Sequence, residues 1–96
     1  MNSKQRAYLK SLANTLNAIF QIGKAGTSEN QIKAISDALE ANELIKITVL
    51  KNAEDDVHSI ANEIADGTNS QIVQVIGNKI ILYRESKKKK KIELPK

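Results

Sequence analysis

A chain of 96 residues is the size of one small domain, large enough for a single hydrophobic core and too short for two. It has no cysteine, which excludes disulfides and thiolate metal sites and fits a reducing cytoplasm. The net charge of +4 is divided: residues 1–28 carry Lys4, Arg6, Lys10 and Lys24 with no acid, residues 29–86 hold five bases against ten acids, and residues 87–96 hold six lysines against Glu93.

From Ser3, a plausible N-cap, Leu9, Leu12, Ala13 and Leu16 recur at helical spacing and predict a helix with one apolar stripe, flanked by Arg6 and Lys10 four residues apart. Asn14, Thr15 and Asn17 break the apolar run that a signal peptide needs, and no segment approaches the roughly 18 to 20 apolar residues of a membrane span, so a soluble, cytoplasmic protein without a membrane partner is expected. Residues 18–22, AIFQI, read as a short strand that runs into the tetrad GKAG. Ser28 and Gln31 have capping-box spacing and open a second helix to about Asn42, with Ile32, Ile35, Ala38 and Leu39 inside and Glu29, Lys33 and Asp37 outside.

In LIKITVL, residues 44–50, Ile45, Ile47 and Val49 alternate with Lys46 and Thr48, the pattern of a strand with one drier face. A third helix is predicted from an N-cap at Asn52, with Glu54, Asp55 and Asp56 in its first turn, Val57, Ile60, Ala61 and Ile64 inside, and Gly67 at its end. Two apolar strands joined at Gly77-Asn78 follow as a hairpin, with Tyr83 near the end of the second. The order is helix-strand-helix-strand-helix-strand-strand: a single compact α/β domain over residues 1–86, with a four-stranded mixed sheet and helices on its faces. Residues 87–96 are expected to be a flexible lysine-rich tail.

Catalysis needs convergent polar groups, and these are scarce. His58 is the single histidine, Asp55 and Asp56 on a helix would point about 100° apart, and neither GxxxxGK[ST] nor GxGxxG is present. The expectation is a protein that is not an enzyme, with no cofactor, no metal and no small-molecule substrate.

GKAG lies between a strand end and a helix start. Backbone N–H groups without helical partners, the helix dipole and Lys24 make that position suited to an anion, while glycines at 23 and 26 permit left-handed angles and close approach of a sugar-phosphate chain. The other reading is a tight turn that needs two glycines.

KQRAYLKSLA in the first helix, IFQIGKAGTSENQI across the first strand and second helix, and IVQVIGNKIILYRES in the hairpin occur in order over residues 2–86. Together they resemble the YhbY/YqeI family, the stand-alone bacterial form of the CRM (chloroplast RNA splicing and ribosome maturation) domain. The resemblance implies a fold similar to the C-terminal domain of bacterial translation initiation factor three. It also implies a KH-like GxxG loop that meets an RNA backbone, and association with precursors of the large ribosomal subunit. Carried over by position, the site is Gly23, Lys24, Ala25 and Gly26 with Lys4, Arg6 and Lys10. The family usually has an aliphatic residue where this chain has Thr27, and often a proline where it has Asn17-Ala18. Lys87, Lys88, Lys89, Lys90 and Lys91 lie outside the match and join the site on charge alone.

Only Tyr8, Phe20 and Tyr83 are aromatic, too few for a reader that stacks successive bases, so backbone and shape recognition of a structured RNA by a monomer is expected. The runner-up is a protein-interaction adaptor of the ribosome or its assembly factors, using the acidic helices. A DNA-binding regulator ranks last for want of a helix-turn-helix.

Overall fold

The computed structural model describes residues 1–96 as α1 (Ser3–Ala13), β1 (Ala18–Ile22), α2 (Glu29–Asn42), β2 (Leu44–Val49), α3 (Val57–Thr68), β3 (Gln71–Ile76) and β4 (Lys79–Tyr83). The strands form one sheet in the order β1-β2-β4-β3, with β1 and β2 parallel and the other two pairings antiparallel. This is the expected α/β domain with a four-stranded mixed sheet. α2 returns the chain between neighbouring parallel strands, and α3 carries it past the place later filled by β4.

Alternation along β2 sorts the two faces. Ile45, Ile47 and Val49 point to one side, where with Ile22, Ile80 and Leu82 they bury against Ile35 and Leu39 of α2 and Ile60, Ala61 and Ile64 of α3. Leu44 points to the other side, where Ile81, Tyr83 and Val73 meet Leu9 and Ala13 of α1. The first helix thus covers the face its sister helices leave open. Each fully buried Ile or Leu stabilises the fold by about 1.5–3 kcal/mol relative to exposure.

Helix starts differ from expectation in instructive ways. Asn2, not Ser3, caps α1, and its side chain and that of Gln5 satisfy each other's backbone N–H. Ser28 caps α2 by accepting from the Gln31 N–H, but the Gln31 side chain donates to the Gln21 carbonyl instead of completing a box. The link ties the end of β1 to the first turn of α2. α3 starts four residues later than an Asn52 cap would place it. Asp56 is its cap, with Oδ1 accepting from the Ser59 N–H, so Glu54 and Asp55 lie in the preceding loop.

Gly67 does not end α3. The chain leaves the helix at Asn69 in the left-handed region, and a Cβ at Gly67 would stand 3.1 Å from Ile32 Cγ2. The glycine marks where α2 and α3 pack closely. Gly77 takes a positive φ of 54° at the first position of the two-residue hairpin, where a type II′ turn favours glycine.

Residues 87–96, the expected flexible tail, form no helix or strand. Ile92 and Leu94 nevertheless pack on the α1 side of the sheet, and Gln5 Nε2 donates to the Pro95 carbonyl at 3.0 Å.

Candidate nucleic-acid interface

The GxxG loop sits at the end of the sheet where β1 and β2 finish. Gly23 and Gly26 close a turn through a 3.0 Å bond from the Gly26 N–H to the Gly23 carbonyl. Gly26 has φ +69°, which favours glycine, whereas Gly23 has no positive φ and a Cβ there would make only ordinary contacts with Asn52 and Leu50 at 3.6 Å. The expectation that both glycines serve left-handed angles is therefore corrected to Gly26 alone.

Lys24 and Ala25 are exposed at the tip. The N–H groups of Lys24, Ala25, Thr27 and Ser28 have no acceptor in the protein, and the N-terminus of α2 begins at the next residue. Free donors, a helix N-terminus and an exposed ammonium thus occur together within six residues, a combination that suits phosphate oxygens. Thr27 Oγ1 donates to Glu63 Oε1 of α3, so the residue after the second glycine is held by a polar contact.

The first helix contributes less free charge than its sequence suggests. Lys4 is exposed, but Arg6 is half-buried and its Nη1 donates to the carbonyls of Ile72 and Val73 at 2.8 and 2.7 Å. These carbonyls lie where the β3–β4 register shifts between Ile72 and Gln74, and a bulge leaves such groups off the ladder. Arg6 is a strut between α1 and β3. Lys10, one turn later, is half-buried with no side-chain hydrogen bond or ion pair.

The loop follows the C-terminal end of β1, whereas the chain arriving from α1 enters the other end of that strand, five residues or about 17 Å away at ~3.3 Å per residue. The lysine run lies at the far end from the loop, beside Leu44. Its backbone is gripped by two carboxylates from the end of α2: Glu40 accepts from the Ser86 hydroxyl and the N–H groups of Lys87 and Lys88, and Glu43 from those of Ser86, Lys91 and Ile92. The side chains of Lys87, Lys88, Lys89, Lys90 and Lys91 remain exposed. One ion pair occurs in the protein, Lys90 with Glu85 at 3.6 Å, and Lys33 is not paired with Glu29 or Asp37 on the outer face of α2.

With this geometry, comparison with known proteins becomes informative. The model of the CRS1 / YhbY (CRM) domain matches residues 1–84. The chain belongs to the CRM-domain family. It is 52% identical over 95 residues to "Probable RNA-binding protein YqeI" of Bacillus subtilis (strain 168), covering 99% of both chains. A Haemophilus influenzae relative named "RNA-binding protein" is 36% identical, covering all of this chain and 96% of the other. The solution structure of the hypothetical protein SAV1595 from Staphylococcus aureus superposes with a TM-score of 0.82 at 53% identity over 99% of both chains.

Titratable groups in this CRM domain are tuned at the tail and at α3. Bonds from the Ser86 hydroxyl and the Lys87 N–H hold the Glu40 carboxyl below the usual range. Burial alone would raise Glu43, but the N–H groups of Ser86, Lys91 and Ile92 outweigh it and lower its pKa. Asp56 is lowered chiefly by the Ser59 N–H.

Elsewhere, a groove of about 410 Å³ between α2 and α3 is lined by Glu29, Asp37 and Glu63 beside Lys33, with Ile32 its one apolar side chain. No three His, Cys, Asp or Glu residues stand close enough to hold a metal, and His58 is exposed. Glu54, expected one helical turn before His58, is outside the helix. No helix is long and apolar enough to cross a membrane. Of the three aromatics, Tyr83 is buried, Phe20 packs on the α2–α3 core, and Tyr8 is exposed on α1.

Periodicity could not have found the tail clasp or the Arg6 strut. Both depend on which loop or strand comes to rest beside the helix.

Proposed function

We propose that this protein is a non-catalytic RNA-binding factor that engages ribosomal RNA in precursors of the large ribosomal subunit, as a cytoplasmic monomer. The observation that carries the reading is the loop from Gly23 to Ser28. Four N–H groups without acceptors stand ahead of a helix N-terminus beside the exposed Lys24, in a domain whose relatives bear the name RNA-binding protein. Backbone donors read phosphate rather than base edges, so recognition rests on RNA shape, with little sequence preference.

Replacing Lys24 and Ala25 by aspartate tests this directly. Both side chains are exposed, so the fold should survive while RNA affinity falls at least tenfold. A folded double variant with full affinity would reduce the tetrad to a turn. Co-sedimentation with large-subunit precursors before and after nuclease tests the target: a protein held through RNA is released, and one docked through its acidic helices stays bound.

A further inference from the structure

The proposed RNA surface has a gap between loop and first helix, and the sheet fills it with charge. The four strands contain no acidic residue, and their only charged residues are Lys46 and Lys79. Both lie on the α1 face: Lys46 and Thr48 alternate with the core-facing Ile45, Ile47 and Val49, and Lys79 is paired with Thr48. Lys79 Nζ donates to the hydroxyl of buried Thr48 at 2.7 Å, which fixes the ammonium over the sheet and leaves its other donors free. Lys46 has no side-chain partner, and neither lysine is in an ion pair.

Position connects them to the site. Thr48 is paired with Gln21 and Lys79, near the strand ends that lead into the loop. α1 rests on the opposite half, over Leu44, Ile81 and Tyr83. Gln5 of α1 donates to the Pro95 carbonyl of the tail, and Arg6, about 100° around the helix, reaches the Ile72 and Val73 carbonyls of β3. Lys46 faces Ile81 and Lys79 faces Thr48, so the two lysines are diagonal neighbours on adjacent strands, within reach of one anion.

Five acids are on the other side: Glu29, Asp37, Glu40, Glu63 and Asp66 belong to α2 and α3, which pack on the opposite face. On the α1 side the tail carries Glu93, between Ile92 and Leu94.

We propose that Lys46 and Lys79 form a phosphate-binding track that continues the GxxG loop across the open half of the sheet toward α1. The inference rests on the RNA-binding reading and adds two residues and a path to it. RNA is favoured over an acidic peptide because the track is continuous with backbone donors that suit phosphate, and neither Lys46 nor Lys79 lines the apolar pocket that Leu12, Leu16, Ile19 and Leu44 form on this face.

The test compares the full chain, Lys46→Gln/Lys79→Gln and Lys24→Asp/Ala25→Asp in titrations of a fluorescein-labelled RNA hairpin with single-stranded flanks at several salt concentrations. Two lost phosphate contacts should lower the slope of log K against log salt by about 1.4 and weaken binding about tenfold near physiological salt. Unchanged slope and affinity in the sheet variant, with binding lost in the loop variant, would overturn the track and leave the RNA reading standing. Full affinity in both folded variants would overturn both. Loss of polyglutamate binding with RNA binding intact would make the surface a protein site. If the double variant fails to fold, Lys46→Gln alone, whose amine bonds to nothing, should lower the slope by about 0.7.

Discussion

Glu43 is bonded to Ile92 across 49 positions of sequence: its Oε1 accepts the Ile92 N–H at 2.7 Å while the neighbouring Lys91 N–H reaches the same oxygen at 2.6 Å. The carboxylate is fully buried, its residue has φ 67°, and its other oxygen takes the Ser86 N–H. With ψ −39° this lies outside the left-handed helical well, and a non-glycine residue there carries strain of about 1–3 kcal/mol, which the clasp must exceed to be worth keeping. Glu43→Gln turns one acceptor into a donor facing the Ser86 or tail N–H groups and should cost about 2 kcal/mol in urea unfolding. Glu43→Gly relieves the strain but loses every bond, and should also be less stable than the parent. Greater stability in the glycine variant would show that the clasp contributes less than the strain.

The same carboxylates set an acid limit. Glu40, Glu43 and Asp56 are all lowered, so between folded and unfolded pKa values the unfolded chain binds more protons and stability falls as pH falls. Their contribution is complete above the ordinary carboxyl range near about 4 and is lost as pH drops through the depressed values. The Lys91 and Ile92 amide resonances should follow the Glu43 titration, with a midpoint below that of a free glutamate. A midpoint at or above the free value would mean that burial, not N–H bonding, dominates. Burial raises Tyr83, so its contribution is present below pH about 10 and is lost as the phenol ionises.

Much of the fold was legible because its signals are local. Period-2 alternation in LIKITV separated the two cores, the stripe Leu9, Leu12, Ala13 marked a one-sided helix, and Gly77-Asn78 marked the hairpin. The start of α3 was not, since Asn52, Asp55 and Asp56 are all competent caps and only the path of the loop selects Asp56. The glycine loop was legible by its place between strand and helix. Arg6 and Glu43 were not, because a helical repeat displays a charge without showing that β3 carbonyls or tail amides will meet it. Alternation showed Lys46 on the wetter face of its strand, but not that Lys79 shares that face, which follows from β4 inserting beside β2.

The two loop glycines should respond differently to the same change. Gly26→Ala places a Cβ at φ +69° in open space, so the cost is conformational, about 1 kcal/mol in thermal or urea unfolding. Gly23→Ala meets only contacts at 3.6 Å with Asn52 and Leu50 and should change stability by less than about 0.5 kcal/mol. If Gly23→Ala nevertheless weakens RNA binding in the folded protein, its missing Cβ serves the close approach of the ligand. Equal loss of stability in both variants would contradict the backbone angles described here.

Removing the tail is a poor test of its charge. Truncation after Ser86 would take away the N–H groups that satisfy Glu43 and the apolar contacts of Ile92 and Leu94, leaving a buried carboxylate under-bonded at a cost of about 1–3 kcal/mol or more. Changing Lys87, Lys88, Lys89, Lys90 and Lys91 together to glutamine keeps every backbone bond and deletes only ammonium groups that are already exposed. Stability should then stay within about 0.5 kcal/mol of the parent, because surface charges contribute little. If all five meet phosphates, the slope of log K against log salt should fall by about 3 to 4, at roughly 0.7 per single-stranded contact. An unchanged slope assigns the run to solvation and leaves the loop and sheet track as the whole RNA surface. A reduced slope with the loop intact places RNA at both ends of the molecule, and the track of Lys46 and Lys79 is then the path between them.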